Sequence, residues 1–201
     1  MFCAHVKEKR MASNIRGLHH TAFRCRDSEA TRQFYEDFLG LPLAETLEIG
    51  ITKTGDQSQY LHTFYQMDDG SFMAFFEAPE MPFTFKDQHD FDMHIALEVP
   101  HDHMMAMKTK AEAAGMECRG VSDHGFIHSI YLRDPNGYVV ELTTKTDSHD
   151  EAVDPQTNGA REKLDRWTKT KREAGVGPDQ DPGFGRVETG AEVIGTAGER
   201  L

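Results

Sequence analysis

The chain has 201 residues, with 34 acidic and 22 basic side chains and a formal net charge of −12, which disfavours a nucleic-acid partner because a basic face would be costly to build. No apolar run is long enough to span a membrane, and the first residues lack the apolar segment of a secretion signal. Three cysteines without CxxC spacing are typical of free thiols in a reducing compartment, so we expect a cytoplasmic protein.

The first predicted unit follows a loose lead-in over residues 1–16 and extends to about residue 88. It begins with a strand, LHHTAFRC, and continues with an amphipathic helix over 28–39 that ends at Gly40. Three further strands are predicted over about 43–52, 59–66 and 71–77, and the turn Asp69-Gly70 joins the last two. The order of the elements is βαβββ.

The second predicted unit repeats this order over about residues 89–146. Its first strand, MHIALEV, precedes a helix over 101–114 that ends at Gly115, and three strands follow over about 117–121, 126–133 and 138–145. A strand-rich unit of this size cannot enclose a core alone. We therefore predict an α+β domain over 17–146, in which two βαβββ modules pair about a pseudo-twofold axis into a half-open β-barrel around a cleft.

The C-terminal extension, residues 147–201, differs in composition from the domain. A helix is predicted over about 159–174, with Leu164 and Trp167 at helical spacing, and we expect Trp167 to pack on the core or on a partner. The residues after about 176 are rich in Gly, Pro and acids, which predicts a disordered, flexible tail.

Histidine is more frequent than expected, with 11 residues, and the repeat places two of them at equivalent positions. His20 and His94 lie at the starts of equivalent strands, each two residues before an alanine. Glu141 lies in the apolar segment YVVEL, where a carboxylate is rarely buried unless it is paired or bound to metal. Two histidines and one carboxylate form the facial triad of non-haem Fe(II) oxygenases, so we predict that these three residues bind one divalent metal in the cleft.

The first module offers no carboxylate at the position equivalent to Glu141. Glu141 lies four residues after the turn residue Gly137, and four residues after Gly70 the chain has Ala74. Strand alternation points Glu77 to the opposite face, unless a bulge shifts the strand. We therefore expect three protein ligands and an empty ligand position beside Ala74.

On these residues the chain resembles the vicinal oxygen chelate superfamily, which includes glyoxalase I, methylmalonyl-CoA epimerase, bleomycin-resistance proteins, fosfomycin-resistance enzymes and extradiol ring-cleavage dioxygenases. The resemblance covers about residues 17–146 and is closest to the extradiol dioxygenases, which leave the position of Ala74 small. Their signature is matched here by His124-GFIHS-Ile130-Tyr131-LR-Asp134-Pro135-Asn136-Gly137-YVV-Glu141, with a departure at Ser122. The resemblance implies that His124 and Tyr131 line the pocket and hydrogen-bond the bound catecholate and oxygen.

The same resemblance leaves one expected residue unmatched. Many catecholic dioxygenases have a further acid–base histidine near the start of the fourth strand, where this chain has Gly70-Ser71-Phe72. His62 and His128 are the candidates to replace it, and we take His62 as the candidate acid–base residue.

The resemblance implies a metal-dependent enzyme, with Fe(II) as the first choice of metal and Mn, Zn, Ni or Co as alternatives. The leading hypothesis is an extradiol-type dioxygenase that acts on a small aromatic vicinal diol and O2, in a homodimer or a larger homo-oligomer. Two alternatives stay open. One is a glyoxalase- or epimerase-like lyase or isomerase, in which Glu141 or Glu77 moves a proton. The other is a metal-free protein that sequesters an aromatic drug.

Overall fold

The computed structural model describes residues 14–51, 57–87 and 89–175, and these contain two copies of the βαβββ order. The first module consists of β1 (His20–Cys25), α1 (Ser28–Arg32) with a π-helical continuation (Gln33–Phe38), β2 (Leu43–Ile51), β3 (Gln57–Gln66) and β4 (Phe72–Glu77). The second module consists of β5 (His94–Glu98), α2 (His101–Ala113), β6 (Cys118–Asp123), β7 (Ile127–Arg133) and β8 (Val139–Lys145). The predicted α+β fold of two βαβββ modules is confirmed.

Each module forms its own four-stranded mixed sheet, with strand orders β1-β4-β3-β2 and β5-β8-β7-β6. The first strand runs parallel to the last in both sheets, and the registers are equivalent: Ala22 lies opposite Ala74, and Ala96 lies opposite Glu141. No strand in the described residues pairs across the modules, so the two sheets do not close into the expected half-open barrel. The physical reason is that the modules join through side chains and a turn, and not through paired strand edges.

Alternation along the strands gives each sheet two faces, one covered by helices and one without helices. We call the face without helices the open face, although several of its side chains are buried by their neighbours. The covered faces and the helices form a single apolar cluster that spans both modules and includes Tyr35, Phe75, Met104, Ile130 and Val140. The open faces carry the predicted chemistry, because His20, His62 and Ala74 share one face of the first sheet. On the second sheet the open face carries His94, Tyr131 and Glu141.

The turn between β7 and β8 fastens the second module to the first. The buried Asn136 accepts a hydrogen bond from the Arg26 backbone N–H at 2.8 Å, and its Nδ2 donates to Thr31 Oγ1 at 3.2 Å. The Tyr35 hydroxyl donates to the Asp134 carboxylate at 3.2 Å. Burial raises the pKa of Asp134, and the hydrogen bonds that its carboxylate accepts oppose this shift. The DPNG segment therefore holds the two modules together.

The C-terminal extension contains α3 (His149–Ala152) and α4 (Ala160–Glu173). Trp167 is 61% exposed and Leu164 is 54% exposed, and no residue of α4 is buried. The expectation that Trp167 packs on the core is therefore wrong, because two apolar side chains in a largely charged helix present little area for the core to cover. Its packing on a partner stays a prediction.

Two predictions fall on other parts of the chain. Most of the lead-in, residues 1–13, and the predicted disordered tail, residues 176–201, lie outside the described residues. Within the described ranges, no helix has both the length and the apolar character needed to cross a bilayer.

Candidate metal centre

His94 and Glu141 form a close pair on the open face of the second sheet. His94 begins β5 and Glu141 lies in the neighbouring β8, opposite Ala96, whose small side chain leaves room above the strands. His94 Nε2 lies 3.1 Å from Glu141 Oε2. The Glu141 side chain is only 5% exposed, whereas that of His94 is 41% exposed, so the pair is open on the imidazole side.

The second contact of His94 shows which of its ring nitrogens carries a proton. Its Nδ1 lies 2.8 Å from the backbone carbonyl oxygen of Asp90, and a carbonyl can only accept a hydrogen bond, so Nδ1 carries the proton. In the neutral ring, Nε2 then directs a lone pair at the Glu141 carboxylate, which is repulsive unless a cation lies between them. A proton or a divalent metal supplies that cation, and the donor set therefore fits a metal.

Tyr131 and His124 extend this pair by two hydrogen bonds. Tyr131 lies opposite Glu141 in the register of β7 and β8, and its hydroxyl donates to Glu141 Oε1 at 3.3 Å. Because that bond uses the only hydroxyl proton, His124 Nε2, at 2.9 Å, donates to the tyrosine oxygen. Burial and the Glu141 charge raise the pKa of Tyr131, so the hydroxyl stays protonated at neutral pH. Four predicted site residues are thus brought together.

His20 lies on the open face of the other sheet. Its Nδ1 is 2.8 Å from His19 Nδ1, which leaves Nε2 as the nitrogen for a further ligand. Among the described residues, no group of three or more His, Cys, Asp or Glu side chains is arranged to hold a metal ion. A single chain therefore does not bring His20 to His94 and Glu141, and the shared metal site stays a prediction.

His62 is buried on the open face of the first sheet, 6% exposed. Its Nδ1 lies 3.0 Å from the Phe75 carbonyl oxygen, so Nδ1 carries the proton and Nε2 keeps its lone pair. The ring stacks on Phe76 at 3.6 Å between centroids and lies 6.4 Å from the His20 ring. Burial lowers the pKa of His62, which favours the neutral ring that a general base needs.

The other candidate, His128, lies on the helix-covered side of its sheet. It pairs with Thr144 in the register of β7 and β8, and its Nε2 lies 3.4 Å from Asp123 Oδ1. Since Ile130 and Leu132, which share its parity in β7, are core residues, His128 does not face the open side. The geometry thus favours His62 as the acid–base candidate.

Ala74 and Glu77 occupy opposite faces of β4. Ala74 shares the open face with His20, and the Glu77 carboxylate instead accepts a hydrogen bond from the Ser28 backbone N–H at 2.7 Å, at the start of α1. The expectation that Glu77 points away from Ala74 is confirmed. No protein carboxylate takes the position equivalent to Glu141 in the described part of the first module.

Sequence reasoning missed two residues beside this site. Arg119 of β6 lies opposite Tyr131, with its guanidinium carbon 5.4 Å from the centre of the tyrosine ring. Arg119 also forms an ion pair with Asp90, the residue whose carbonyl holds His94. The only sequence signal is the strand register, and the irregularity between Gly120 and Ser122 obscures it.

Comparison with known proteins identifies the family. A model of the glyoxalase/bleomycin resistance protein/dioxygenase superfamily matches residues 17–142, which is more than half of the chain. A domain of this description from Frankia sp. EAN1pec is 15% identical over 68% of this chain and 98% of its own, with a TM-score of 0.52. A variant of the fosfomycin resistance protein FosX from Listeria monocytogenes, solved with Mn(II) and 1S,2S-dihydroxypropylphosphonic acid, is 19% identical over 68% of this chain and 98% of its own, with a TM-score of 0.51. These two likenesses show the fold alone.

A comparison with the curated proteins found no match. The extent of the family match and the duplicated βαβββ fold agree with each other. The chain therefore belongs to the glyoxalase/bleomycin resistance protein/dioxygenase superfamily.

Proposed function

We propose that the protein is an Fe(II)-dependent dioxygenase of the extradiol type, which opens the ring of a small aromatic vicinal diol. The observation that carries this proposal is the His94–Glu141 pair, at 3.1 Å, whose carboxylate also accepts a hydrogen bond from Tyr131. Both atoms of O2 enter the product as one ring carbon–carbon bond breaks, so the reaction needs no external reductant. Mn, Zn, Ni and Co are the alternative metals, and the FosX relative was solved with Mn(II).

The metal site requires a second copy of the chain. His94 and Glu141 supply two ligands, and His20 lies on a different open face within the same chain. The imidazole side of the pair is open, so a ligand can approach it from outside. In a twofold-symmetric dimer, His20 of each copy completes the pair of the other copy, which gives two equivalent sites.

The metal, when bound, would hold the two neighbouring hydroxyl oxygens of the diol and lower their pKa. The side chains of the protein supply the hydrogen-bond donors and the proton acceptor around these oxygens. Tyr131 keeps its hydroxyl proton and donates a hydrogen bond, and His124 supports the tyrosine oxygen by a bond of its own at 2.9 Å. His62 presents a neutral Nε2 that can accept a proton from the diol.

Aromatic side chains on the first open face favour a flat, apolar substrate. Phe64 lies opposite Ala74 and within 5.6 Å of the His20 ring between centroids. Phe72 lies beside it at 6.0 Å in an edge-on arrangement, and Phe76 stacks on His62. Ala74 is fully buried beneath these rings, whereas Phe64, Phe72 and Phe76 are each half-buried, so their outer faces offer an apolar surface for a flat substrate ring.

The lyase or isomerase alternative needs a carboxylate that moves a proton beside the metal. Glu77 does not serve this purpose, because it faces the covered side of β4 and is hydrogen-bonded to Ser28. Glu141 would then have to be both ligand and base. This is the reason for preferring the dioxygenase.

The test combines metal analysis of anaerobically purified protein with O2 uptake on catechol. We compare wild type with Glu141→Gln and with the control Glu98→Gln, which removes a carboxylate from the same open face where it pairs with Lys145 at 2.8 Å. We expect Fe(II) and O2 uptake in wild type and control, and at least about tenfold less metal in Glu141→Gln. Stoichiometric zinc without O2 uptake would instead favour the isomerase, and no metal under any loading would favour the binding protein.

A further inference from the structure

We infer that Asp90 and Arg119 are positioning residues of the candidate metal centre, and that their ion pair orients both His94 and Tyr131. The expected effect on metal binding rests on the proposed metal site, whereas the expected effect on the orientation of His94 applies to the metal-free protein as well. Neither residue contacts the position between His94 and Glu141. Each acts through a neighbour that does.

Asp90, the acidic partner of the ion pair, accepts a hydrogen bond from His94 through its backbone carbonyl. Asp90 lies in the segment that joins the modules, four residues before His94, and its carboxylate is 19% exposed. Arg119 of β6 pairs with that carboxylate, and Arg133 of β7 approaches it at 3.7 Å. Because the carboxylate and the carbonyl belong to the same residue, an ion pair that holds one limits the movement of the other. The joining segment is thereby fixed to two strands of the second sheet.

Arg119, the basic partner of the ion pair, also contacts the ring of Tyr131. Arg119 holds its guanidinium over Tyr131, 5.4 Å from the ring centre, a geometry typical of a cation–π contact. The hydroxyl of that ring donates to Glu141. Arg119 therefore contacts both Asp90, whose carbonyl accepts from His94, and Tyr131, whose hydroxyl donates to Glu141.

These contacts determine which nitrogen of His94 faces the site. The Asp90 carbonyl keeps the proton on Nδ1 and so leaves Nε2 for a metal. If the carbonyl moves away, the imidazole can exchange its two tautomers and rotate about its side-chain bonds. Loss of an outer hydrogen bond to a ligating histidine typically weakens metal binding by about 10- to 100-fold. An isolated exposed ion pair adds little to global stability, so the expected effect is local.

The test uses Arg119→Met, which keeps the length of the side chain and removes its charge, and Asp90→Ala, which removes the carboxylate from the other side. The matched control is Lys145→Met, which breaks the Lys145–Glu98 ion pair on the same open face, away from His94. Arg119→Lys is the conservative variant, because a lysine can restore the contact with Asp90. All are made in the full-length chain, and urea unfolding verifies that each retains the fold.

The first measurement is the imidazole ¹⁵N spectrum of the metal-free protein, at a pH above the ordinary imidazole pKa. In wild type and in Lys145→Met we expect one His94 tautomer with the proton on Nδ1. In Arg119→Met and Asp90→Ala we expect averaged nitrogen shifts that indicate both tautomers, and partial recovery in Arg119→Lys. Wild-type shifts in Arg119→Met and Asp90→Ala would overturn the inference.

The second measurement is titration with Co(II), followed by its visible absorption. We expect the dissociation constant to rise at least about tenfold in Arg119→Met and Asp90→Ala, and to stay at the wild-type value in Lys145→Met. An unchanged constant in the first two variants would also overturn the inference. If wild type binds no Co(II), the proposed metal function fails, and the nitrogen spectra then decide separately whether the ion pair orients His94.

Discussion

Gly137→Ala is expected to destabilise the protein well beyond Gly70→Ala, although the two glycines are equivalent in the repeat. Both have positive φ, +93° and +83°, where an L-residue with a β-carbon is strained by about 1–2 kcal/mol. At Gly70 an added Cβ would meet nothing within 4 Å. At Gly137 it would lie 2.5 Å from the Lys86 carbonyl oxygen and 2.8 Å from the Phe85 ring. At this point the segment between the modules packs closely against the β7–β8 turn.

The magnitude follows from these two contributions. Gly70→Ala should lower the free energy of unfolding by about 1–2 kcal/mol through strain alone. In Gly137→Ala the Lys86 backbone must also move, which breaks its hydrogen bond to the Asn136 carbonyl at 2.9 Å and adds about 1–3 kcal/mol of overpacking. Equilibrium urea unfolding measures both variants against wild type. Equal losses in the two variants would refute the claim that the joining segment is packed on this turn.

Three further predictions concern single residues or segments. Trp167→Ala should change the free energy of unfolding by less than about 0.5 kcal/mol, because the side chain is 61% exposed; a large loss in urea unfolding would show that it is packed. Removal of residues 177–201 should leave the thermal midpoint and metal content unchanged, and a lower midpoint would show that the segment is integral. Because burial lowers the pKa of His62, unfolding binds protons below the ordinary imidazole value near about 6.5, so stability should fall with decreasing pH more steeply in wild type than in His62→Gln. Parallel pH curves would contradict this.

The duplicated pattern was sufficient to predict the modules and the register of their last strands. Each turn glycine determines where its strand begins, and period-two alternation then places Ala74 and Glu141 at equivalent positions and Glu77 on the other face. His94 and Glu141 meet because both follow from this local register. His62, by contrast, could be placed on the open face only once the length of the β3–β4 hairpin was known.

Other features depend on contacts between distant segments, which periodicity does not contain. The helical spacing of Leu164 and Trp167 predicts an apolar stripe, but not a surface to cover it. The need to bury a core predicts a half-open barrel, whereas the modules bury it through their helices and the Asn136 turn. The Asp90–Arg119 pair joins a loop to a strand with an irregular register, so no local pattern indicates it.

The measurement that tests the account most directly is metal binding by mixed dimers of His20→Ala and Glu141→Ala. Each variant alone should bind little Co(II), because every site in its dimer lacks one ligand. When the two are refolded together in equal amounts, half of the dimers contain both variants, and one of the two sites in each of these has all three ligands. We therefore predict recovery of about one quarter of the wild-type metal content. No recovery in the mixture, with each variant folded and dimeric, would contradict a site built from His20 of one copy and the His94–Glu141 pair of the other.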